Sequence, residues 1–300
     1  MSSFALNAEI HHVESLRIFD AKSGQFAKNK EMLQEHLPSL VPRMLNHRKQ
    51  LNILSVGSGN GENYLLILKI IEENLQKTGH GSQIKIRFNR AIEPNSYSRG
   101  LYNTAIENLP PSVLGVQETK FEICPQTFQE YSQDSEKEPI KFDLVHFIHS
   151  IYYIDTEKAL CHCFEKELGE NGVLVFIVSS GGDLINRVLA KQTKDWHGRE
   201  GGPSENYETA ENLIEIAKTK GWKHEIYNKE YSIDVTEVFD PKSTKGNLLL
   251  DFLTHTVNFR ETAEKQLVEG TLSLIRDHTT SKDGKRLGEV KDSLIAIYKH

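Results

Sequence analysis

The chain has 300 residues, 38% of them hydrophobic and 26% charged, with a formal net charge of −6, enough apolar material for one enlarged globular domain or a core with a smaller cap. The acidic balance, with no basic stripe interleaved with aromatics, speaks against nucleic acid as the main partner. The opening Met1–Ile10 has no basic segment ahead of an apolar one, and no apolar run reaches the roughly 18 residues a membrane span needs, so neither a signal peptide nor a membrane segment is expected.

Residues 1–50 read as helical, with Val13, Leu16, Ile18 and Phe19 apolar, and are expected to form a lid. The stretch from Leu51 to Asn63 then carries the strongest local signal. An apolar strand, Leu51–Val56, runs into Gly57, Gly59 and Gly61 and on into a helix from Tyr64 to Leu75. Glycines at this spacing permit positive φ and let a ligand lie against the backbone. The next strand, Ile84–Ile92, ends at Glu93, where a carboxylate can accept both hydroxyls of a ribose. The third glycine of the dinucleotide pattern is missing, since Asn63 and Tyr64 follow Gly61-Glu62. The Lys-Ser/Thr pair of a phosphate-binding loop is missing too. What remains suits an adenosine ligand without phosphates, and S-adenosyl-L-methionine is the common one. Packing of a glycine turn is the competing explanation for the loop taken alone.

A helix from Ser96 to Asn108, closed by Leu109-Pro110-Pro111, precedes a strand at Lys120–Cys124 and a polar run, Ser132–Glu138, read as a solvated loop. The run Phe142–Ile148 is almost continuously apolar, as expected of a strand covered on both faces. A helix from Thr156 to Leu168, ended by Gly169 and Gly172, leads to a strand at Val173–Val178. The helix Thr209–Lys220 stops at Gly221, before a strand at Trp222–Tyr227. Residues 234–290 read as an insertion with helices at Gly246–Phe259 and Arg260–Asp277. The final strand, Ser293–Tyr298, should return beside the sixth.

Alternating strands and helices predict an α/β fold: a doubly wound, seven-stranded, mostly parallel, Rossmann-like sheet. Its divisions are a lid (1–50), a ligand-binding core (51–233), a substrate-binding insertion (234–290) and a last core strand (291–300). Lid and insertion together should make an acceptor pocket. Cys161-His162-Cys163 matches no metal-ligand spacing, so helix packing is expected there and no metal. Three cysteines cannot all pair, which fits a reduced, cytoplasmic protein.

With that layout the chain resembles the histamine N-methyltransferase family, class I S-adenosylmethionine-dependent methyltransferases, along nearly its whole length. Five segments carry the resemblance: the Gly57 loop, Ile92-Glu93-Pro94, Val13–Arg17, the His146–Tyr153 run and Leu249–Phe259. The resemblance implies a monomeric cytosolic enzyme that methylates an imidazole ring nitrogen of a small molecule. It implies cofactor binding by Gly57, Ser58, Gly59, Glu93, Ser98, Thr127, Phe128 and Ile148. It places His149, Tyr152 and Tyr153 in catalytic positions, and His12, Leu16, Gln25, Phe252 and Lys291 on the substrate side.

Several polar anchors differ from the family pattern. The family's lid glutamate falls on Gln25, its glutamine after strand four on His149, and its C-terminal asparagine near Lys291 or Asp292. A lid tyrosine and phenylalanine become His12 and Leu16, and two pocket tryptophans have no counterparts in Ser179–Asn186. Ring recognition is kept while tail recognition is altered, which implies an imidazole acceptor, histamine or a related imidazole such as histidine or carnosine, with preference shifted away from histamine. A methyltransferase of another small amine or phenol, or a catalytically silent cofactor binder, are the other readings.

Overall fold

The computed structural model describes residues 3–45, 50–77, 85–109, 119–135, 140–196 and 209–300. In chain order the elements are α1 (Ser3–Ser23), α2 (Gln25–Leu45), β1 (Gln50–Val56), α3 (Glu62–Lys77), β2 (Lys85–Ile92), α4 (Ser96–Glu107), β3 (Lys120–Cys124), α5 (Phe128–Ser135), β4 (Phe142–Ile148) and α6 (Thr156–His162). They continue with β5 (Leu168–Ser179), α7 (Leu184–Trp196), α8 (Ala210–Thr219), β6 (Lys223–Asp234), α9 (Thr244–Thr254), α10 (Phe259–Thr262), α11 (Lys265–Asp277), β7 (Thr279–Lys282) and β8 (Lys285–Tyr298).

The sheet runs β3-β2-β1-β4-β5-β8-β6, with β7 hairpinned antiparallel onto β8. The pairs β1–β2, β1–β4, β2–β3 and β4–β5 are all parallel. The expected doubly wound, mostly parallel α/β sheet is therefore present, and β8 does lie beside β6. The strand order reverses direction between β1 and β4, the place where open α/β sheets bind ligands beyond the strands' C-terminal ends.

Two units make up the chain. One holds residues 29–178, 210–227 and 293–300, the other residues 1–28, 179–209 and 228–292. The core of the first is built on β4, whose seven residues are all buried, with Leu54, Val56, Phe88, Phe176, Leu213 and Ile295 in the same cluster. The second has its own core of Phe19, Leu184, Val188, Ile233, Leu249, Leu253, Phe259 and Val290. Each fully buried aliphatic or aromatic side chain contributes about 1.5–3 kcal/mol relative to exposure.

Several predicted boundaries are corrected. The N-terminal segment is two helices, broken at Gly24, which takes φ +69°. Ser132–Ser135 is not loop but the end of α5; the rest of that polar run, like Pro110 and Pro111, lies outside the described residues. Gly169 and Gly172 do not end a helix. They sit inside β5, which starts at Leu168, and a Cβ on Gly172 would lie 2.8 Å from the Phe142 carbonyl, so close strand approach explains the glycine. The helix predicted to Phe259 stops at Thr254, because His255 caps it in the left-handed region and Asp251 accepts the N–H groups of Asn258 and Phe259 at 2.9 and 2.8 Å. The next predicted helix is interrupted at Ala263-Glu264, between α10 and α11. The β7–β8 hairpin, turned by Asp283-Gly284 at positive φ, was not anticipated.

Candidate active site

Beyond the C-terminal ends of β1, β2 and β4, the first unit gathers most of the residues singled out in the sequence. Gly57, Gly59 and Gly61 all have positive φ, +65°, +56° and +83°, each for a different reason. A Cβ on Gly57 would lie 2.3 Å from Cβ of Ser150, whose hydroxyl donates to the Val56 carbonyl at 2.6 Å. A Cβ on Gly61 would lie 2.3 Å from the ring of Tyr102. A Cβ on Gly59 would meet no atom within 4 Å. Two of the glycines thus seat the loop on the protein, and the one between them faces open space where a ligand fits.

Glu93 closes the loop from the other side. Its Oε2 accepts the Gly59 N–H at 2.7 Å and its Oε1 the Asn95 N–H at 2.8 Å. The carboxylate is 7% exposed, and the two backbone N–H groups hold it at the edge of the glycine loop. Ser58 donates its N–H to the Ile92 carbonyl at 3.3 Å. Ser98 is buried in the first turn of α4, its N–H donating to the capping Asn95 side chain at 2.8 Å.

Thr127 caps α5. Its N–H and hydroxyl both reach Glu130 Oε2, at 2.8 and 2.9 Å, while the Glu130 N–H returns to the Thr127 hydroxyl at 3.3 Å, a reciprocal capping box. Phe128 turns into the core, its ring 6.1 Å from that of Phe147. Ile148 ends β4 and is 8% exposed.

His149, the next residue, has φ +51°, a conformation non-glycine residues adopt rarely and often at functional sites. Its Nε2 lies 3.3 Å from Asn29 Oδ1 and its Nδ1 3.2 Å from the Tyr152 hydroxyl. With the Asn29 oxygen as acceptor, the ring proton sits on Nε2 and Nδ1 accepts from Tyr152. Tyr153 packs edge-on to Tyr152, centroids 6.4 Å apart. Although 60% of Tyr153 is exposed, its phenol is pushed up to about 12, first by desolvation and then by the negative charge of Glu93. Tyr153 therefore presents an exposed aromatic ring within electrostatic reach of Glu93.

The substrate-side residues belong to the second unit. Phe252 stacks on Phe19, centroids 4.3 Å apart. His12 and Leu16 lie one turn apart on α1, both exposed. Gln25 lies near enough to Tyr231 to act on its phenol, and the Tyr231 hydroxyl donates to Asp292 Oδ2 at 2.6 Å. Lys291 points its ammonium to Glu230 and Glu289, at 3.3 and 2.9 Å, whereas its neighbour Asp292 is 1% exposed. Of the two residues near which the C-terminal anchor was expected, Asp292 is the inward one.

Sequence reading missed Asn29, Ser150, Tyr102, Tyr231 and His255. Tertiary contact alone brings each of them to its place. His162, from the Cys-His-Cys run, bonds Glu167 at 3.0 Å. Among the described residues no group of three or more His, Cys, Asp or Glu could hold a metal ion, and no helix is long and apolar enough to cross a membrane.

The same region is matched by a family profile described as a methyltransferase domain, over residues 29–225. The chain belongs to that methyltransferase family. The histamine N-methyltransferase of Rattus norvegicus is 28% identical to it over 294 residues, covering 95% of this chain and 94% of its own. Carnosine N-methyltransferase 2 of Gallus gallus is 29% identical over 263 residues, covering 88% and 78% respectively. Among solved structures, loganic acid methyltransferase with SAH superimposes with a TM-score of 0.52 at 10% identity, covering 90% of this chain and 93% of that one. The YcgJ protein of Bacillus subtilis does so with a TM-score of 0.52 at 11% identity, covering 87% and 99%. The resemblance to histamine N-methyltransferases is borne out, and the methyltransferase uses S-adenosylmethionine as its cofactor. The open face of Gly59 and the fixed carboxylate of Glu93 fit that nucleoside.

Proposed function

We propose that this methyltransferase methylates an imidazole ring nitrogen of a small molecule, histamine or a related imidazole such as histidine or carnosine. The observation that carries the reading is the group after β4: an accessible Tyr153 beside Glu93, and a Tyr152 hydroxyl on His149. The relatives whose names specify histamine and carnosine N-methylation support it.

When bound, S-adenosylmethionine supplies a methyl group activated by a sulfonium. The protein's task is then mainly alignment, holding nucleophile and methyl carbon in line. Glu93 and the Gly57–Gly61 loop fix the nucleoside end. Tyr153 offers a ring face to positive charge, a contact of about 0.5–2 kcal/mol. An imidazole with a pKa near ~6.5 already carries a free lone pair at neutral pH, so a histidine with two phenols is sufficient equipment. An aliphatic ammonium near pKa ~10 would first need a base to remove its proton.

In the second unit, Phe252 on Phe19 would receive the acceptor ring, with His12 and Leu16 beside it, and the Gln25–Tyr231–Asp292 chain would read the acceptor's tail. We further read the enzyme as a monomer of the cytoplasm, with the lid (1–50) and the insertion (234–290) serving the acceptor. A panel of imidazoles and aliphatic amines, each offered with methyl-labelled S-adenosylmethionine, tests the acceptor. Label on imidazoles is expected; label only on non-imidazole amines refutes the reading, and tight S-adenosylhomocysteine binding with no turnover would favour a silent binder.

A further inference from the structure

Ser150 opens the short turn Ile151–Tyr153, which carries Tyr152 and Tyr153, yet its hydroxyl does not cap that turn. A serine in this place ordinarily accepts a hydrogen bond from an N–H of its own first turn. Here the hydroxyl instead donates, at 2.6 Å, to the carbonyl of Val56, the last residue of β1. The residue is buried, and the bond joins positions 94 residues apart.

In the sheet β4 lies between β1 and β5, and its register with β1 ends at the pair Val56–Phe147. Past that pair the chain turns at His149, φ +51°. The His149 N–H donates to the Ile177 carbonyl of β5 at 2.8 Å, and the next residue, Ser150, reaches the other neighbour, β1. Two successive residues thus tie the tyrosine turn to both flanking strands. On the β1 side the tie lands one residue ahead of Gly57, whose missing Cβ leaves room for the Ser150 side chain. The glycine loop has anchors of its own on the β2 side: the Ile92 carbonyl accepts the N–H groups of Gly57 and Ser58 at 2.8 and 3.3 Å, and Glu93 accepts that of Gly59. Removing the Ser150 hydroxyl therefore leaves the loop seated and cuts the turn's bond to β1.

We propose that Ser150 is a positioning residue for methyl transfer: its hydroxyl fixes the turn bearing Tyr152 and Tyr153 against the end of β1, and so sets the line between acceptor and methyl group. In-line transfer tolerates little error, a misplacement of about 1 Å costing on the order of 100-fold in rate. The inference rests on the proposed function, which uses that turn on the acceptor side. The family resemblance gives roles to His149, Tyr152 and Tyr153 but none to Ser150.

Ser150→Ala deletes the bond without adding bulk against Gly57. With the full chain and its best acceptor from the imidazole and amine panel, kcat should fall by about tenfold, while the S-adenosylmethionine dissociation constant, read by calorimetry, stays within about threefold. Ser150→Cys, close in size and a weak donor, should fall between wild type and alanine. A role in stability alone would lower the melting temperature and leave kcat, measured well below it, within about twofold of wild type; that result overturns the proposal. A loss confined to cofactor affinity overturns it too, as does equal loss of kcat in the two variants. Should Ser150→Ala not fold, the same split between kcat and cofactor affinity in Ser150→Cys decides. If only a non-imidazole amine is methylated, the proposed function falls, but kcat on that amine still decides Ser150.

Discussion

Replacing Glu93 by glutamine changes one atom and should disable the cofactor loop. Each carboxylate oxygen accepts a separate backbone N–H, from Gly59 at 2.7 Å and from Asn95 at 2.8 Å, and the group is 7% exposed. Glutamine has one oxygen. Whichever way its amide turns, its NH2 faces one of those N–H groups, leaving a buried donor against a donor. An unsatisfied buried group costs about 1–3 kcal/mol, which converts to roughly five- to 150-fold in affinity if it falls on the bound state. The ribose loses a charged acceptor at the same time, so the upper half of that range is expected. Titration calorimetry with S-adenosylmethionine and with S-adenosylhomocysteine reads the effect directly. Whatever part of that penalty is already present without ligand cancels from the affinity and shows instead as a fall of a few degrees in the melting temperature. A dissociation constant within about threefold of wild type would show that Glu93 does not hold the nucleoside, and the loop geometry would need another explanation.

Other substitutions probe the surroundings. Gly61→Ala places a Cβ 2.3 Å from the Tyr102 ring at φ +83°, so the melting temperature should fall, and smaller side chains at position 102 should recover only the steric part. His146 is fully enclosed in β4, with neither ring nitrogen hydrogen-bonded among the described residues, and burial pushes its pKa down to about 3. The unfolded chain takes up that proton near pH ~6.5, so between these values it binds more protons than the folded protein and stability falls as pH drops. His146→Phe should flatten this decline and raise the melting temperature at pH 5 relative to wild type; an unchanged slope between pH 4 and 6 would contradict the assignment. The kcat/KM for an imidazole acceptor should fall tenfold per unit below about pH 6 as the acceptor ring protonates. A flat profile down to pH 5 would mean that the free lone pair is not what reacts.

Much of the first unit was legible because its signals are local. Leu51–Val56, the three glycines and Glu93 are a strand, a turn and a strand end, and short-range chemistry fixes each. What the sequence could not show is why each glycine is there. Gly57 yields to Ser150 and Gly61 to Tyr102, residues 93 and 41 positions away, and no spacing pattern encodes such contacts. Gly169 and Gly172 were misread for the same reason: a glycine after an amphipathic run looks like a helix stop, but here the neighbouring strand's carbonyl excludes a side chain. In the second unit Phe252 was found through motif resemblance. His255 lies in the same Leu249–Phe259 segment, but nothing in the sequence marks it as the left-handed residue that ends α9, ahead of the loop that Asp251 ties back. Lys291 was put on the substrate side, but the fold turns its ammonium to Glu230 and Glu289 and buries Asp292 instead.

The central claim is methyl transfer to a ring nitrogen, and the product itself tests it most directly. With S-adenosylmethionine carrying a 13C-methyl group, a heteronuclear NMR spectrum of the reaction with histamine, histidine or carnosine distinguishes a methyl on the imidazole from one on the amine. The account predicts a single new N-methyl resonance coupled to the imidazole ring protons. A methyl signal on the aliphatic amine, or labelled cofactor left intact beside every imidazole offered, would contradict it.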